Sequence, residues 1–372
     1  MTSRHHQEHV NRLITLLKKF PNKKWVASFL SANPNITMKF IDENPSIDWD
    51  WCKISQNPGI TMRDVETHID KHWNWQFLSE NPNITMEFVL AHADKLWDWW
   101  CLSANPGIIM RDVKEHFTRS WSIRYLSDNP NITMETINSV NIYCWRWKSL
   151  SKNPGITMSD VEAYPNMPWN WAFLSENPNI TMKDVLAHPD KPWNWRNLSE
   201  HQNITMQDVE SNLDRPWKWK LLSGNPNITI GFIANHINEE WNWGRLSRNS
   251  SVAIEYVFSF PDKPWDWSCL SSNPGITMKD VNENPNLPWN WYYLSGNPNI
   301  TVRDIIEHSS EAWDWGVISR NLFLHHPALR IRAIKNLTAF RVKSRHKTYS
   351  TILCTHPGLY NDLSTLVLKY IS

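Results

Sequence analysis

Apolar positions recur along this chain with a period of 24 residues. Number each unit from its first tryptophan. Position 1 then falls at Trp25, Trp49, Trp73 and every further step of 24 to Trp313. Twelve complete units end at residue 312, and a thirteenth dissolves after Asn321. The unit reads W-x-W-x-x-L-S-x-N-P-[N/G]-I-T-M-x-D-V, with a closing loop whose fullest form is H-P-D-K-P. Positions 3, 6 and 7 share the spacing of one helical face, as Trp171, Leu174 and Ser175 do. Positions 14 and 17, such as Met182 and Val185, form a second stripe. The pattern therefore predicts two short helices per unit, over positions 3 to about 8 and 14 to about 20.

The polar positions punctuate these helices. Asp or Asn at position 2 (Asp50, Asn74, Asn170, Asn194) is a good N-cap. The Asn-Pro step at positions 9 and 10 stops the first helix, because a residue before proline avoids the α region. Asn or Gly at position 11 suggests a tight turn with positive φ there. The threonine at position 13 caps the second helix, and in six copies an aspartate three residues on completes a capping box, as in Thr181 to Asp184.

Two helices of roughly two turns cannot stand alone in water. Stacked units can bury positions 1, 3, 6, 12, 14 and 17 against the same positions next door, which is the logic of a repeat array. The expected fold is all-α: an α-solenoid, right- or left-handed, of 12–13 repeats spanning 25–324. Its ends need covering. Residues 1–24, with helical spacing from His9 to Phe20, predict an N-terminal capping helix. Residues 325–372 predict a basic helical cap, with helical stretches such as Pro327 to Phe340.

Composition suits a folded protein, with 41% hydrophobic and 20% charged residues. The net charge of +1 conceals an asymmetry. Residues 320–372 hold nine Lys/Arg and one acid, a balance of +8; the remainder, 29 Lys/Arg against 36 acids, is −7. A basic end, Arg330 to Lys347 at its centre, hints at an anionic partner. An acidic repeat body argues against nucleic acid along the rod. Five widely spaced cysteines form neither a disulfide framework nor a zinc pattern. No signal-peptide core and no membrane-length apolar run appears. The expectation is a soluble, non-secreted protein without membrane contact. The glycosylation sequons, such as Asn35-Ile36-Thr37, then read as a repeated turn rather than as acceptors.

The residues that invite chemistry sit inside the repeat. Serine holds position 7 in all thirteen units, Ser31 to Ser319, with no fixed base beside it, so it reads as a close-packed hydrogen-bonding residue rather than a nucleophile. Asparagine at position 9 reads as a ladder to loop backbone. Histidine at position 20 (His68, His92, His116, His188, His236, His308) suits a helix C-terminus better than a metal stripe. The 25 tryptophans read as core rather than as a stacking platform. No catalytic, cofactor-binding or metal-ligating residue is assigned, no cofactor is implied, and an enzyme is not expected. Positions 4, 5, 8, 15 and 18–23 vary freely and are the expected exposed faces.

The W-[ND]-W-x-x-L-S-x-N-P-[NG]-I-T-M string with its P-D-K-P-W loop, seen almost letter by letter from Leu174 to Trp195, resembles the tryptophan-rich repeat proteins of giant DNA viruses, the mimivirus-like group. More distantly, the 24-residue length and the L-S-x-N-P segment resemble variant leucine-rich repeats, solenoids of short helices. The first resemblance implies a viral origin, with a setting in host cytoplasm or virion, and no assigned activity. The expected role is a protein-binding repeat scaffold. The alternatives are a structural virion component assembling through the rod, or an adaptor whose basic C-terminal end binds nucleic acid.

Overall fold

The computed structural model describes residues 13–139, 145–321 and 323. The basic segment 325–372 and its expected helices lie outside them. Each of the twelve complete repeats holds two α-helices of four to six residues, the described part of the thirteenth holds one, and no strand occurs among the described residues. In repeat 7 these are Trp171–Leu174 and Met182–Ala187. The architecture is an all-α solenoid of paired short helices. By their contacts the described residues fall into two compact units, one running to Asp98 and resuming at Trp267, the other Trp99–Asp266.

Local chemistry sets the helix limits. The side chain of Asn74 accepts from Phe77 N at 3.1 Å, and that of Asp50 from Lys53 N at 3.1 Å. At the second helix the Asp64 carboxylate accepts from the backbone N–H of Thr61 at 2.8 Å and from its hydroxyl at 2.6 Å. These bonds satisfy N–H groups that the helix itself leaves open. The second helix ends at position 20, where His or Asn does the same work. His188 Nδ1 lies 3.0 Å from the Asp184 carbonyl, and Asn212 donates to the Asp208 carbonyl at 2.8 Å. The position-20 carbonyl then accepts from the next tryptophan: His188 O from Trp193 Nε1 at 2.9 Å. Position 20 is a capping position.

Packing follows the apolar stripe. Leu174, Ile180 and Val185 are buried, and so are Leu78, Ile84 and Val89 four units earlier in the chain. Each such side chain contributes roughly 1.5–3 kcal/mol by leaving water. The tryptophan of position 3 stands edge-on to that of position 1 in the following repeat. Trp51 and Trp73 are 5.2 Å apart at 88°, and Trp195 and Trp217 are 4.9 Å apart at 90°. A cation from the closing loop lies over the position-3 ring, as Lys191 does 5.6 Å from the centre of Trp171.

Two polar columns bind repeat to repeat. The position-7 hydroxyl donates to the carbonyl one turn back and accepts from position 2 of the following repeat. Ser175 bonds Trp171 O at 3.0 Å and receives Asn194 N at 2.9 Å. The position-9 amide reaches into the preceding repeat: Asn177 donates to Ser151 O at 3.0 Å and to Asn153 O at 3.0 Å. Its own Oδ1 accepts from Asn179 N at 2.9 Å. These side chains are buried, so their carbonyl partners have no water to fall back on.

Position 11 corrects one expectation. No Asn or Gly there has positive φ; among the described residues only Phe323, which takes the equivalent place in the thirteenth, incomplete unit, does, at 47°. The choice between Asn and Gly is made by the neighbour instead. Where Asn stands, its amide bridges the preceding turn: Asn179 donates to Pro154 O at 2.7 Å and Ile156 O at 3.0 Å. In five of those repeats the position-9 amide also reaches a third carbonyl, as Asn177 reaches Ile156 O at 3.1 Å. Where Gly stands, backbone occupies that space. A Cβ on Gly59 would lie 2.4 Å from Pro34 O, and one on Gly155 would lie 2.2 Å from Ile132 O. The array therefore has amide-bridged and glycine-tight junctions. The residues alternate strictly from Asn35 through Gly59, Asn83, Gly107, Asn131 and Gly155 to Asn179. Substituting Gly155 by Asn should push two turns apart and lower stability by about 1–3 kcal/mol, read by thermal denaturation. An unchanged melting point would disprove the tight junction.

The ends of the array meet within the first compact unit. Val26 N donates to Ser319 Oγ at 3.1 Å, and Asn33 donates to Ser319 O at 3.0 Å and to Asn321 O at 3.1 Å. These repeat the bonds Asp50 makes to Ser31, and Asn57 to Ser31 and Asn33, at 2.8–3.0 Å. Repeat 13 thus precedes repeat 1 as any repeat precedes the next. Residues 13–19 are helical, Leu13 and Leu16 are buried, and the Phe20 ring lies 5.1 Å from Trp315. Repeat 1 therefore has the last repeat as its neighbour, with Phe20, just after the helical residues 13–19, packed against the same tryptophan.

Candidate interaction surface

The residues that looked chemically inviting are consumed by the frame. The position-7 serines and position-9 asparagines form the buried columns, and the position-20 histidines cap helices. Among the described residues no group of three or more His, Cys, Asp or Glu side chains is placed to hold a metal ion. Some histidines also reach a carboxylate of the preceding repeat. His68 Nε2 is 3.0 Å from Asp42, and His236 Nε2 is 2.8 Å from Glu210.

His201 is the one departure in the asparagine column. Its Nδ1 accepts from Asn203 N at 3.2 Å, which leaves Nε2 to donate to Asn177 O at 2.9 Å. A second proton would have to point at the Asn203 N–H. Burial holds the imidazole below its ordinary value of 6.5, only partly offset by the bond to Asn177. The unfolded chain therefore binds this proton first as pH falls. The stabilising contribution is complete above about pH 6.5 and is lost as pH drops from there through the lower folded-state value. His201→Asn should flatten that pH dependence and raise stability by about 0.5–1.5 kcal/mol. Urea titrations at pH 5 and pH 8 would show it, and equal slopes in both proteins would refute it.

With the frame accounted for, the varied positions define the exposed surface. Positions 4 and 15 are open, as at Arg124, Arg196, Glu87 and Lys183. Position 5 is more enclosed than its variability suggests. Tyr125 and Phe173 are half-buried and Leu221 is buried.

Charge is sorted between the two helices in the unit Trp99–Asp266. Across repeats 5–10, positions 1–8 carry nine Lys/Arg against three acids, Asp128, Glu176 and Glu200. Positions 13–20 of the same repeats carry seven acids against Lys183 alone. In repeats 1–3, 12 and 13, positions 1–8 hold two cations against three acids, so the basic face is confined to the middle repeats. The overall balance of −7 averages over these faces. The sorting could have been found by tabulating charge against repeat position.

Within the basic face, Lys220 pairs with Glu240 at 3.3 Å, and Arg245 reaches Glu200 two repeats back across Gly224. Burial, and next the charges of Arg196 and Arg248, hold the Arg245 guanidinium below its ordinary value. Among the described residues Arg124, Lys148 and Arg196 have no carboxylate within ion-pair distance. At the start of this row the Trp100 indole is 63% exposed and stacks on Tyr125, with centroids 6.1 Å apart and planes at 19°. The second-helix side differs. Leu186, Leu213 and Phe258 are exposed there, and the second helices of their repeats carry Asp184, Asp208, Glu210 and Glu255.

No helix among the described residues is long and apolar enough to cross a membrane. No family model matches this chain, and searches of curated proteins and of solved structures return no match.

Proposed function

We propose that the protein is a non-enzymatic scaffold that binds a protein partner on the second-helix side of its repeats. The supporting observation is a division of labour. Every near-invariant polar side chain is bonded inside the array, while large apolar side chains stand exposed at positions that differ between repeats. Leu186, Leu213 and Phe258 lie on the second helices or the loops after them, and Phe258 is 52% exposed. Apolar side chains held out among charged neighbours mark association surfaces. The resemblance of the W-N-W-x-x-L-S-x-N-P-N-I-T-M unit to giant-virus repeat proteins supports a viral origin and a host-cytoplasmic or virion setting.

The test is a quantitative affinity purification of the full chain from infected cells, beside the variant Leu186→Ser/Leu213→Ser/Phe258→Ser. A partner retained by the parent and lost from the variant, with unchanged circular dichroism, is the expected result. Identical recovery with both would overturn the reading.

A further inference from the structure

We propose that the basic face of repeats 5–10, with Trp100 of repeat 4 at its edge, binds single-stranded nucleic acid, with Trp100 and Tyr125 as a base-stacking platform and the position-4 cations as the phosphate track. This goes beyond the protein-scaffold reading and uses a different face.

Single strands are held by two elements together: cations that follow the backbone and aromatic faces on which bases stack. Both occur here in one compact unit. Position 4 carries Trp100, Arg124, Lys148, Arg196 and Lys220 in repeats 4, 5, 6, 8 and 9. Neighbouring helices in such stacks are about 8–10 Å apart, so a regular array sets these side chains out in a row. Arg124, Lys148 and Arg196 are exposed, with no carboxylate bonded to them among the described residues. Lys152 is engaged with an aromatic ring, 5.4 Å from the centre of Phe173, and leaves the track to position 4.

The Trp100–Tyr125 stack separates this partner from an acidic peptide, which needs the cations but not a flat aromatic face. It also separates a single strand from a duplex, whose bases are already stacked on one another. The frame makes the stack possible. Position 4 of one repeat and position 5 of the next lie on adjacent first helices, Trp99–Ala104 and Ile123–Leu126. Tyr125 is half-buried and held, whereas Trp100 projects over it.

The experiment is a fluorescence-anisotropy titration of the full-length protein on labelled oligouridylate of about 20 nucleotides, over about 50–200 mM salt. A duplex of equal length and a polyglutamate peptide serve as competitors. The variant Arg124→Gln/Lys148→Gln/Arg196→Gln/Lys220→Gln should weaken binding at least tenfold and reduce the log–log salt slope by about 3. Trp100→Ala should weaken it about five- to tenfold or more while leaving the slope unchanged. Photo-crosslinking of a 4-thiouridine strand to the unmodified protein should map to Trp100 or Tyr125. If both variants bind like the parent, the strand sits elsewhere, the C-terminal basic segment included, and the proposal fails. It fails equally if the duplex competes as well as the strand, or if polyglutamate displaces the strand at matched charge. None of these results bears on Leu186, Leu213 and Phe258, so the two proposals stand or fall separately.

Discussion

Trp315→Ala should destabilise the protein by about 3–5 kcal/mol, although Trp315 lies in the last, incomplete repeat. In an array with free ends a terminal repeat has one neighbour, and truncating its outer side chains costs little. Here Trp315 is buried, 5.1 Å from the Trp25 ring at 71° and 5.1 Å from Phe20, with the Lys23 ammonium 5.4 Å from its centre. Its partners come from the beginning of the chain. Removing the indole empties a site built from both termini of the array, beside the bonds that Val26 and Asn33 make to Ser319. Urea denaturation followed by far-ultraviolet circular dichroism measures the loss. Trp291→Ala, whose ring stands 4.9 Å from Trp313, is the interior comparison. Comparable losses in the two variants are expected. A negligible loss for Trp315→Ala would show that repeats 13 and 1 do not pair.

Asn177→Ala should cost about 3–5 kcal/mol, more than its small loss of volume would suggest. The amide supplies donors to Ser151 O, Asn153 O and Ile156 O, and its Oδ1 receives Asn179 N. Alanine leaves those buried backbone groups without that partner, and an unpaired buried polar group costs about 1–3 kcal/mol. Asn177→Asp should be worse still, because a carboxylate then faces carbonyl oxygens with no proton to offer. Ser175→Ala removes one donor and one acceptor and should cost about 1–2 kcal/mol. Thermal melts of the three variants should fall in the order Asp, Ala at 177, then Ala at 175. A Ser175→Ala variant less stable than Asn177→Ala would contradict the ladder.

Much of the frame is legible in the sequence. Helix starts at Asn74 and Thr61 are local events, decided by a side chain within three residues of the N–H it accepts, and local rules find them. Leu174, Ile180 and Val185 recur at fixed spacing because each repeat presents the same face to its neighbour. Position 11 does not yield to local rules, because the reason for its glycine is not local. Gly155 is small to avoid Ile132 O of the preceding repeat, not to reach positive φ. The exposed face was half legible. The charges of Arg124, Lys148, Arg196 and Lys220 are plain in the sequence, but their common edge appears only when repeats are laid in register. The Trp100–Tyr125 stack crosses a repeat boundary and has no one-dimensional signature.

Repeat length, the two helices in each unit, their caps and the side chains that must be buried are written in the chain, since they depend on interactions within a few residues and on a period repeated without insertion. Tertiary structure alone decided which repeat neighbours the first, how closely successive turns approach at Asn and Gly junctions, and which varied side chains share an open face. Those outcomes depend on contacts between residues from 21 to 293 positions apart, where chain order carries no distance information and only the packing of the folded chain does.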